Sequence, residues 1–445
     1  MAISSFVEIL EDQNPWWRSA ARRALSYPRR RELQRQVVAR IKRLDDRRAL
    51  VIRGPRQVGK TVLLLQVADD LLAEGWPPAN LAYFDFSDDR LQAAVSPRQV
   101  AEAHPAGFDP DLPHALLLDE ISRAPHWDRW LKQAVDANDG ARIAATDSGA
   151  ALLQAAGEES GQGRWDEVIC ETYSLRDFAA LHAIGDEDVG VILGRDPALT
   201  ERYLAVGGFP EHAHNLDLPE VRRRLRRDIA DRAIRRDLTR AGVEVEQVAR
   251  LFAYLMESSG AIFTAHSRAR DLQADPRSIR KWLDSLLATL LVFRLEPFHS
   301  RAAARLRSAP KIFAADPGLV AAFSAAAEDN RLRGLLFEAA VYRHLREAAH
   351  ELEGELSYFR APDGLEIDFV LSMPGAIIAI EVTSSTRARS EKLRRARQAA
   401  DRLGADRLLL VHGGVVAEPA EPVRQVSLTR FLADPTGAVR SEEVG

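Results

Sequence analysis

Residues 54 to 61 read GPRQVGKT, a full match to G-x-x-x-x-G-K-[S/T]. The octet follows a short apolar run, ALVIR (49–53), and opens the amphipathic stretch TVLLLQVADDLLAEG. Strand, glycine loop and helix in that order give the pattern its meaning. Successive backbone N–H groups turn toward one point at the positive end of a helix and cradle phosphate oxygens. Lys60 is placed to reach the β- and γ-phosphates of a nucleoside triphosphate, and the Thr61 hydroxyl to ligate Mg²⁺. Gly54, Pro55, Arg56, Gln57, Val58, Gly59, Lys60 and Thr61 are therefore the expected nucleotide-binding residues.

The loop commits its surroundings to a parallel sheet, and the flanking pattern agrees. Short apolar runs recur at LAYFDF (81–86), ALLLD (115–119), RIAAT (142–146) and EVICE (167–171), with WDRWLKQAVDAND among the helical stretches between them. Continuous apolar strands separated by helices predict a sheet covered on both faces. LLLDE (116–120) supplies the partner carboxylates. Asp119 is expected at the end of a strand next to the phosphate-loop strand, holding Mg²⁺, and Glu120 beside it to polarise an attacking water. That pair favours ATP hydrolysis, and the sequence shows no N-K-x-D segment to read guanine. After the fourth run, ATDSGA (145–150) offers Thr146, Asp147 and Ser148 as γ-phosphate sensors or as ordinary polar turn residues.

At 445 residues the chain is too long for one core, so two to four domains are expected. Its 46% hydrophobic and 28% charged content is that of a soluble globular protein, and a net charge of −4 gives no global pull toward polyanions. The single cysteine, Cys170, rules out an internal disulfide framework and suits a reducing, cytoplasmic setting. The N-terminus lacks a signal-peptide pattern, and no apolar run approaches membrane-spanning length.

RRRLRRDIADRAIRRDLTR (222–240) carries nine arginines and three aspartates. It reads as a solvated helix with i,i+4 ion pairs, as a source of an arginine finger (Arg232, Arg235 or Arg236), or as a phosphate-backbone contact. Arg164 in GQGRW is a second finger candidate, with a plain loop arginine as its alternative. Residues 247 to 295 predict three compact helices and then a strand, a winged-helix arrangement. Arg277, Ser278, Arg280 and Lys281 would lie exposed at the start of the third helix, suited to DNA contact; docking between domains is the competing use.

Several of these motifs recur together in a known family. GPRQVGKT, LLLDEI, YLAVGGFPE (203–211), KIFAADPGL (311–319), GLLFEAAV (334–341), EIDFVL (366–371) and the IEV of AIEVTSS (379–385) stand in its order. The chain resembles prokaryotic AAA-type ATPases with a C-terminal restriction-endonuclease-like domain of unknown function. The resemblance implies an ATPase core, a helical lid, a winged-helix module and a nuclease-like domain. One departure is TDSG where the family often shows Gly-Ser after the sensor strand. The expected fold is thus α/β: a P-loop NTPase parallel sheet, a helical lid, a winged-helix module and a mixed α/β restriction-endonuclease-like domain. The expected boundaries are an N-terminal helical extension (1–48), core (49–172), lid (173–244), winged-helix-like module (245–325), nuclease-like domain (331–415) and tail (416–445).

A PD-(D/E)xK nuclease needs a helix acid, a strand Asp and Glu-x-Lys on the next strand. Glu338, Asp368 and Glu381 match the acids, and MPG joins the two strands as a hairpin. Thr383 stands where the lysine belongs; Arg387, Arg389 and Lys392 are the nearest bases downstream, and Glu366 and Glu381 also read as plain strand-end acids. Three functions remain open: an ATP- and Mg²⁺-dependent machine acting on nucleic acid such as DNA, a signalling-type ATPase holding a protein partner, and an ATP-gated metal nuclease. Assembly as a homo-oligomer is a further expectation.

Overall fold

The computed structural model describes residues 3–18, 29–43, 48–90, 95–137, 140–147, 164–185, 187–237, 244–298, 309–324, 330–385, 390–414 and 423–440. Ser148, Arg387 and Arg389 lie outside them. The chain forms two compact units, Met1–Glu171 and Thr172–Gly445.

The first unit is built on five parallel strands, β1 (Ala49–Arg53), β2 (Leu81–Asp85), β3 (His114–Asp119), β4 (Ala141–Asp147) and β5 (Trp165–Ile169), in the order β2-β3-β4-β1-β5. β1 is buried along its whole length, because both faces are covered. Alternate strand residues Val51, Phe84, Leu118 and Ala145 share a core with Ile9, Leu10, Trp127 and Leu131. β4 lies between β1 and β3. The expectation that the Asp119 strand neighbours the phosphate-loop strand is therefore corrected: the β1–β2, β2–β3 and β3–β4 crossovers each carry a helix, and the return from β3 places β4 in the gap.

The first 48 residues were expected as an extension. Instead, Ile9 and Leu10 of the helix Ile3–Gln13 enter the core just described. Asn14 then pairs with β2 as a strand would, donating to the Tyr83 carbonyl at 2.8 Å and accepting its N–H at 2.7 Å. The Trp16 and Trp17 indoles both donate to the Leu81 carbonyl at 2.9 Å. This segment satisfies backbone groups that edge strand β2 would otherwise leave open.

In the second unit, helix Val245–Glu257, β6 (Ala261–Ile262), helices Ala265–Asp271 and Pro276–Ala288, β7 (Val292–Leu295) and β8 (Lys311–Ala314) follow in order. The three short strands form an antiparallel sheet β6-β8-β7. The long helix Asn330–Glu351 precedes a mixed sheet of β9 (Glu355–Arg360), β10 (Glu366–Met373), β11 (Ala376–Thr383), β12 (Arg407–His412) and β13 (Arg424–Ser427), ordered β13-β12-β11-β10-β9. β9 to β11 pair antiparallel and β11 to β13 parallel, with helix Ser390–Leu403 making the β11–β12 crossover. The hairpin turns at Pro374-Gly375, with Gly375 at φ 85°, as a two-residue turn requires. In the tail, read from sequence as loop apart from a short helix near LTRFL, that helix is Leu428–Ala433, and β13 and helix Pro435–Arg440 come in addition.

Two of the quoted motifs lock together here. Asp316, fully buried, accepts from the Gly208 and Gly318 N–H groups at 2.8 Å each. Gly207 sits at φ 75°, and a Cβ there would lie 1.8 Å from Asp316 Oδ1. Burial pushes the Asp316 carboxyl up to about 6, against hydrogen bonds that favour its charge. Nearby, the buried Arg343 guanidinium donates to the Thr172 carbonyl at 3.1 Å. His344 accepts from the Leu175 N–H at 2.9 Å through Nε2, while Nδ1 lies 2.7 Å from the Ala340 carbonyl, so the ring is neutral with its proton on Nδ1. These bonds tie the start of the unit, residues 172–175, to the long helix.

Candidate active site

The phosphate loop takes its shape from two left-handed residues, Gln57 at φ 64° and Gly59 at φ 92°. Such alternation turns successive N–H groups inward. Gly54 has no room for a side chain, since a Cβ would lie 2.3 Å from the Cys170 carbonyl. At Gly59 nothing lies within 4 Å of a built Cβ, so the mouth of the loop is open. Lys60 begins the helix Lys60–Ala73, is buried, and donates to the Gly54 and Pro55 carbonyls at 2.9 Å each. The Thr61 side chain is exposed on the first turn.

The acids stand at the carboxyl edge of the same sheet. Asp119 ends β3, is 1% exposed, and accepts from the Tyr83 hydroxyl at 3.1 Å and from the Thr146 hydroxyl. Thr146, near the tip of β4 and fully buried, also accepts the Glu120 N–H at 3.0 Å. One hydroxyl thus fixes both members of the acidic pair. Glu120 adopts φ 51°, and its carboxylate lies 3.7 Å from Arg123. Burial raises the Glu120 carboxyl; Lys60 and Arg56 oppose that, while Asp119 and Asp147 add to it. These influences bring the phosphate-loop cations and the acidic pair into one electrostatic neighbourhood.

Sequence reasoning named Lys60, Thr61, Asp119, Glu120, Thr146 and Asp147 but passed over Tyr83, Asp85 and Arg123. Asp85 is in register with Asp119 across β2–β3, and burial raises its carboxyl, with Ser87 opposing. An acid closing a buried strand, as in LAYFD, was the available signal. Arg164 is placed at the other edge. It precedes Trp165, which pairs with Ala49 at the start of β1, a strand of five residues away from the loop. Five residues span about 16 Å, so Arg164 does not reach the nucleotide of its own chain; it pairs with Asp136 at 3.0 Å. Arg235 belongs to the second unit and pairs with Glu246 at 2.7 Å, while Arg232 pairs with Asp228 at 3.2 Å.

A second constellation lies in the second unit. Asp368 on β10 accepts the Val382 N–H at 2.9 Å, which places it beside Glu381 on β11. Glu338 comes from the helix Asn330–Glu351. Burial, then the Asp368 charge, pushes the Glu338 and Glu381 carboxyls up to about 8. Lys392 on the following helix lies 3.1 Å from the Glu381 carboxylate and donates to the Val382 carbonyl at 2.6 Å. The exposed Arg277, Arg280 and Lys281 open the helix Pro276–Ala288. No described helix is long and apolar enough to cross a membrane.

Three family models match in succession. Residues 46–179 match an AAA domain, 198–330 a domain of unknown function (DUF8612) and 333–431 a second domain of unknown function (DUF4143). Fold, phosphate loop and match make the first unit an ATPase of AAA type. Among relatives, the chain is 26% identical over 346 residues to an uncharacterized protein of Haemophilus influenzae, covering 75% of this chain and 81% of the relative. It is 26% identical over 416 residues to an uncharacterized protein of Mycobacterium tuberculosis, covering 88% and 84%. Solved structures with some likeness include the Saccharomyces cerevisiae Hsp104–ADP complex, with TM-score 0.31, 15% identity and 60% of this chain covered. The match spans about half of that chain, 51%. Cdc6p from Pyrobaculum aerophilum gives TM-score 0.26 and 12% identity, with 68% of this chain and 95% of that one covered.

Proposed function

We propose that the chain is a Mg²⁺-dependent ATPase that hydrolyses ATP at Gly54–Thr61 and uses the cycle to move its second unit on nucleic acid. The observation that carries the reading is the Thr146 hydroxyl, which fixes Asp119 and the Glu120 backbone together at the sheet's carboxyl edge. Lys60 exchanges the Gly54 and Pro55 carbonyls for β- and γ-phosphate oxygens when ATP enters. Glu120, held less acidic by burial, accepts a proton from the water that attacks the γ-phosphorus, and the bond to the ADP oxygen breaks. The donor set suits Mg²⁺: Thr61 presents an exposed hydroxyl and Asp119 a strand-tip carboxylate. When bound with ATP, the ion neutralises charge on the phosphate oxygens.

The module from Val245 to Ala314 is read as a winged helix. Its order of helix, strand, helix, helix, strand, strand and its β6-β8-β7 sheet support that reading. Arg277, Arg280 and Lys281 are the proposed phosphate contacts. The β9–β13 sheet with its flanking helices is read as the restriction-endonuclease-like domain.

Steady-state turnover tests the ATPase. Lys60→Ala is expected to abolish nucleotide binding, while Glu120→Gln binds ATP but turns over at least ~100-fold more slowly; unchanged turnover in Glu120→Gln removes that residue's role. Duplex DNA retention is expected to fall with salt at a log–log slope near −3, as about three phosphate contacts imply. Arg280→Glu with Lys281→Glu should remove most of that dependence, and salt-independent retention would refute the DNA face.

A further inference from the structure

A nuclease-like fold implies a divalent ion held by Glu338, Asp368 and Glu381, and the residues around them do not fit one. Among the described residues, no three His, Cys, Asp or Glu side chains are gathered as ligands. Ammonium groups stand beside the acids instead. Lys392 lies 3.1 Å from the Glu381 carboxylate and donates to the Val382 carbonyl at 2.6 Å. It rises from the crossover helix Ser390–Leu403. The other ammonium comes from a different sheet. Lys311 opens β8, is 4% exposed, lies 2.6 Å from Glu366 on β10, and sits 5.0 Å over the Tyr358 ring of β9.

The cluster therefore has four acids, Glu338, Glu366, Asp368 and Glu381, facing two lysines. Each lysine is held by an ion pair to one of these acids, Lys311 to Glu366 and Lys392 to Glu381. An incoming dication would have to displace Lys392 and sit near a second fixed positive charge.

We propose that Lys311 and Lys392 are tethered cations that take the electrostatic place of a metal ion, making this carboxylate cluster a metal-free clasp between the β6–β8 module and the β9–β13 sheet. The backbone supports the clasp at the same seam. Phe298 N–H donates to the Tyr358 carbonyl at 2.6 Å, Tyr358 N–H to the Glu296 carbonyl at 3.1 Å, and the Tyr358 hydroxyl to the Ala309 carbonyl at 2.5 Å. Gly260, just before β6, closes against Glu338, since a Cβ there would lie 2.9 Å from Oε2. The inference rests on the nuclease-like reading of the sheet and is independent of the nucleotide site.

Calorimetric titration of the full chain with MnCl₂, without nucleotide, tests it. The wild type is expected to give no saturable binding up to ~1 mM Mn²⁺, whereas Lys392→Met gains one site at least ~10-fold tighter. Adding Asp368→Asn should abolish the gained site. Lys392→Gln, which keeps a donor for the Val382 carbonyl, gives the same readout if the methionine variant does not fold. Saturable wild-type binding lost in Asp368→Asn overturns the proposal, as does a folded Lys392 variant that stays blind to Mn²⁺. Mn²⁺-dependent cutting of an oligonucleotide that disappears in Asp368→Ala also overturns it. ATP turnover, measured in parallel, reports failure of the ATPase reading separately.

Discussion

Replacing Thr146 with valine keeps the shape of a fully buried side chain and removes one oxygen. That oxygen accepts the Glu120 N–H at 3.0 Å and its proton goes to Asp119. Losing the first bond strands a backbone donor, at about 1–3 kcal/mol, and losing the second removes a charge-assisted bond of about 1.5–3 kcal/mol. The added methyl offsets roughly 1 kcal/mol by burial, and Tyr83 still donates to Asp119. The net loss is about 3 kcal/mol, which for a unit of this size lowers the melting temperature by roughly 6–12 °C. Intrinsic tryptophan fluorescence is the assay. Trp16, Trp17, Trp76, Trp127, Trp130 and Trp165 lie in the first unit and only Trp282 in the second, so the signal reports the first unit. ATP turnover should fall about 10- to 100-fold as Asp119 and Glu120 lose their shared support. Thr146→Ser, which keeps the hydroxyl, should recover most of both. A valine variant that melts within about 1 °C of wild type and turns over ATP normally would refute the reasoning.

The second unit should weaken in acid. Burial, then Arg343, lowers the His344 pKa to about 3 against an ordinary 6.5, so its contribution is complete above pH 6.5 and lost as pH falls toward 3. The gap corresponds to up to about 5 kcal/mol. Asp316 works the other way, because a carboxyl raised to about 6 regains stability as pH falls from 6 toward 4. Urea midpoints of wild type and His344→Gln should therefore converge below pH 6.5; parallel curves would contradict the neutral buried ring. Gly207→Ala drives a methyl onto Asp316 and should cost at least about 3 kcal/mol. Limited proteolysis should then open the second unit, and resistance equal to wild type would dismiss the lock between the two motifs.

The legible parts of the site were the local ones. GPRQVGKT, LLLDE and the hydrophobic runs each fall within a few residues, so spacing alone located β1 to β5 and predicted Lys60, Thr61, Asp119 and Glu120 for one site. Tyr83 was not legible, because nothing in LAYFDF says which strand it joins or in what register; Asp85 was legible only as an acid closing a buried strand. Residues 1–48 read as a helical extension, yet Ile9 and Leu10 are core residues. In the tail the helix at LTRFL was legible but β13 was not, because RQVS is too short to show alternation, although β12 offers it an edge.

The sequence by itself determined a phosphate loop between a buried strand and a helix, since eight neighbouring residues set its backbone and its charge. Only the tertiary structure decided that β4 divides β1 from β3, so that Thr146 reaches Asp119 and the Glu120 backbone together. It also decided that Lys392 meets Glu381, and that Lys311, some fifty residues before the strands it serves, meets Glu366. Strand order, register and burial come from contacts between distant segments, and which charges meet follows from them rather than from spacing along the chain.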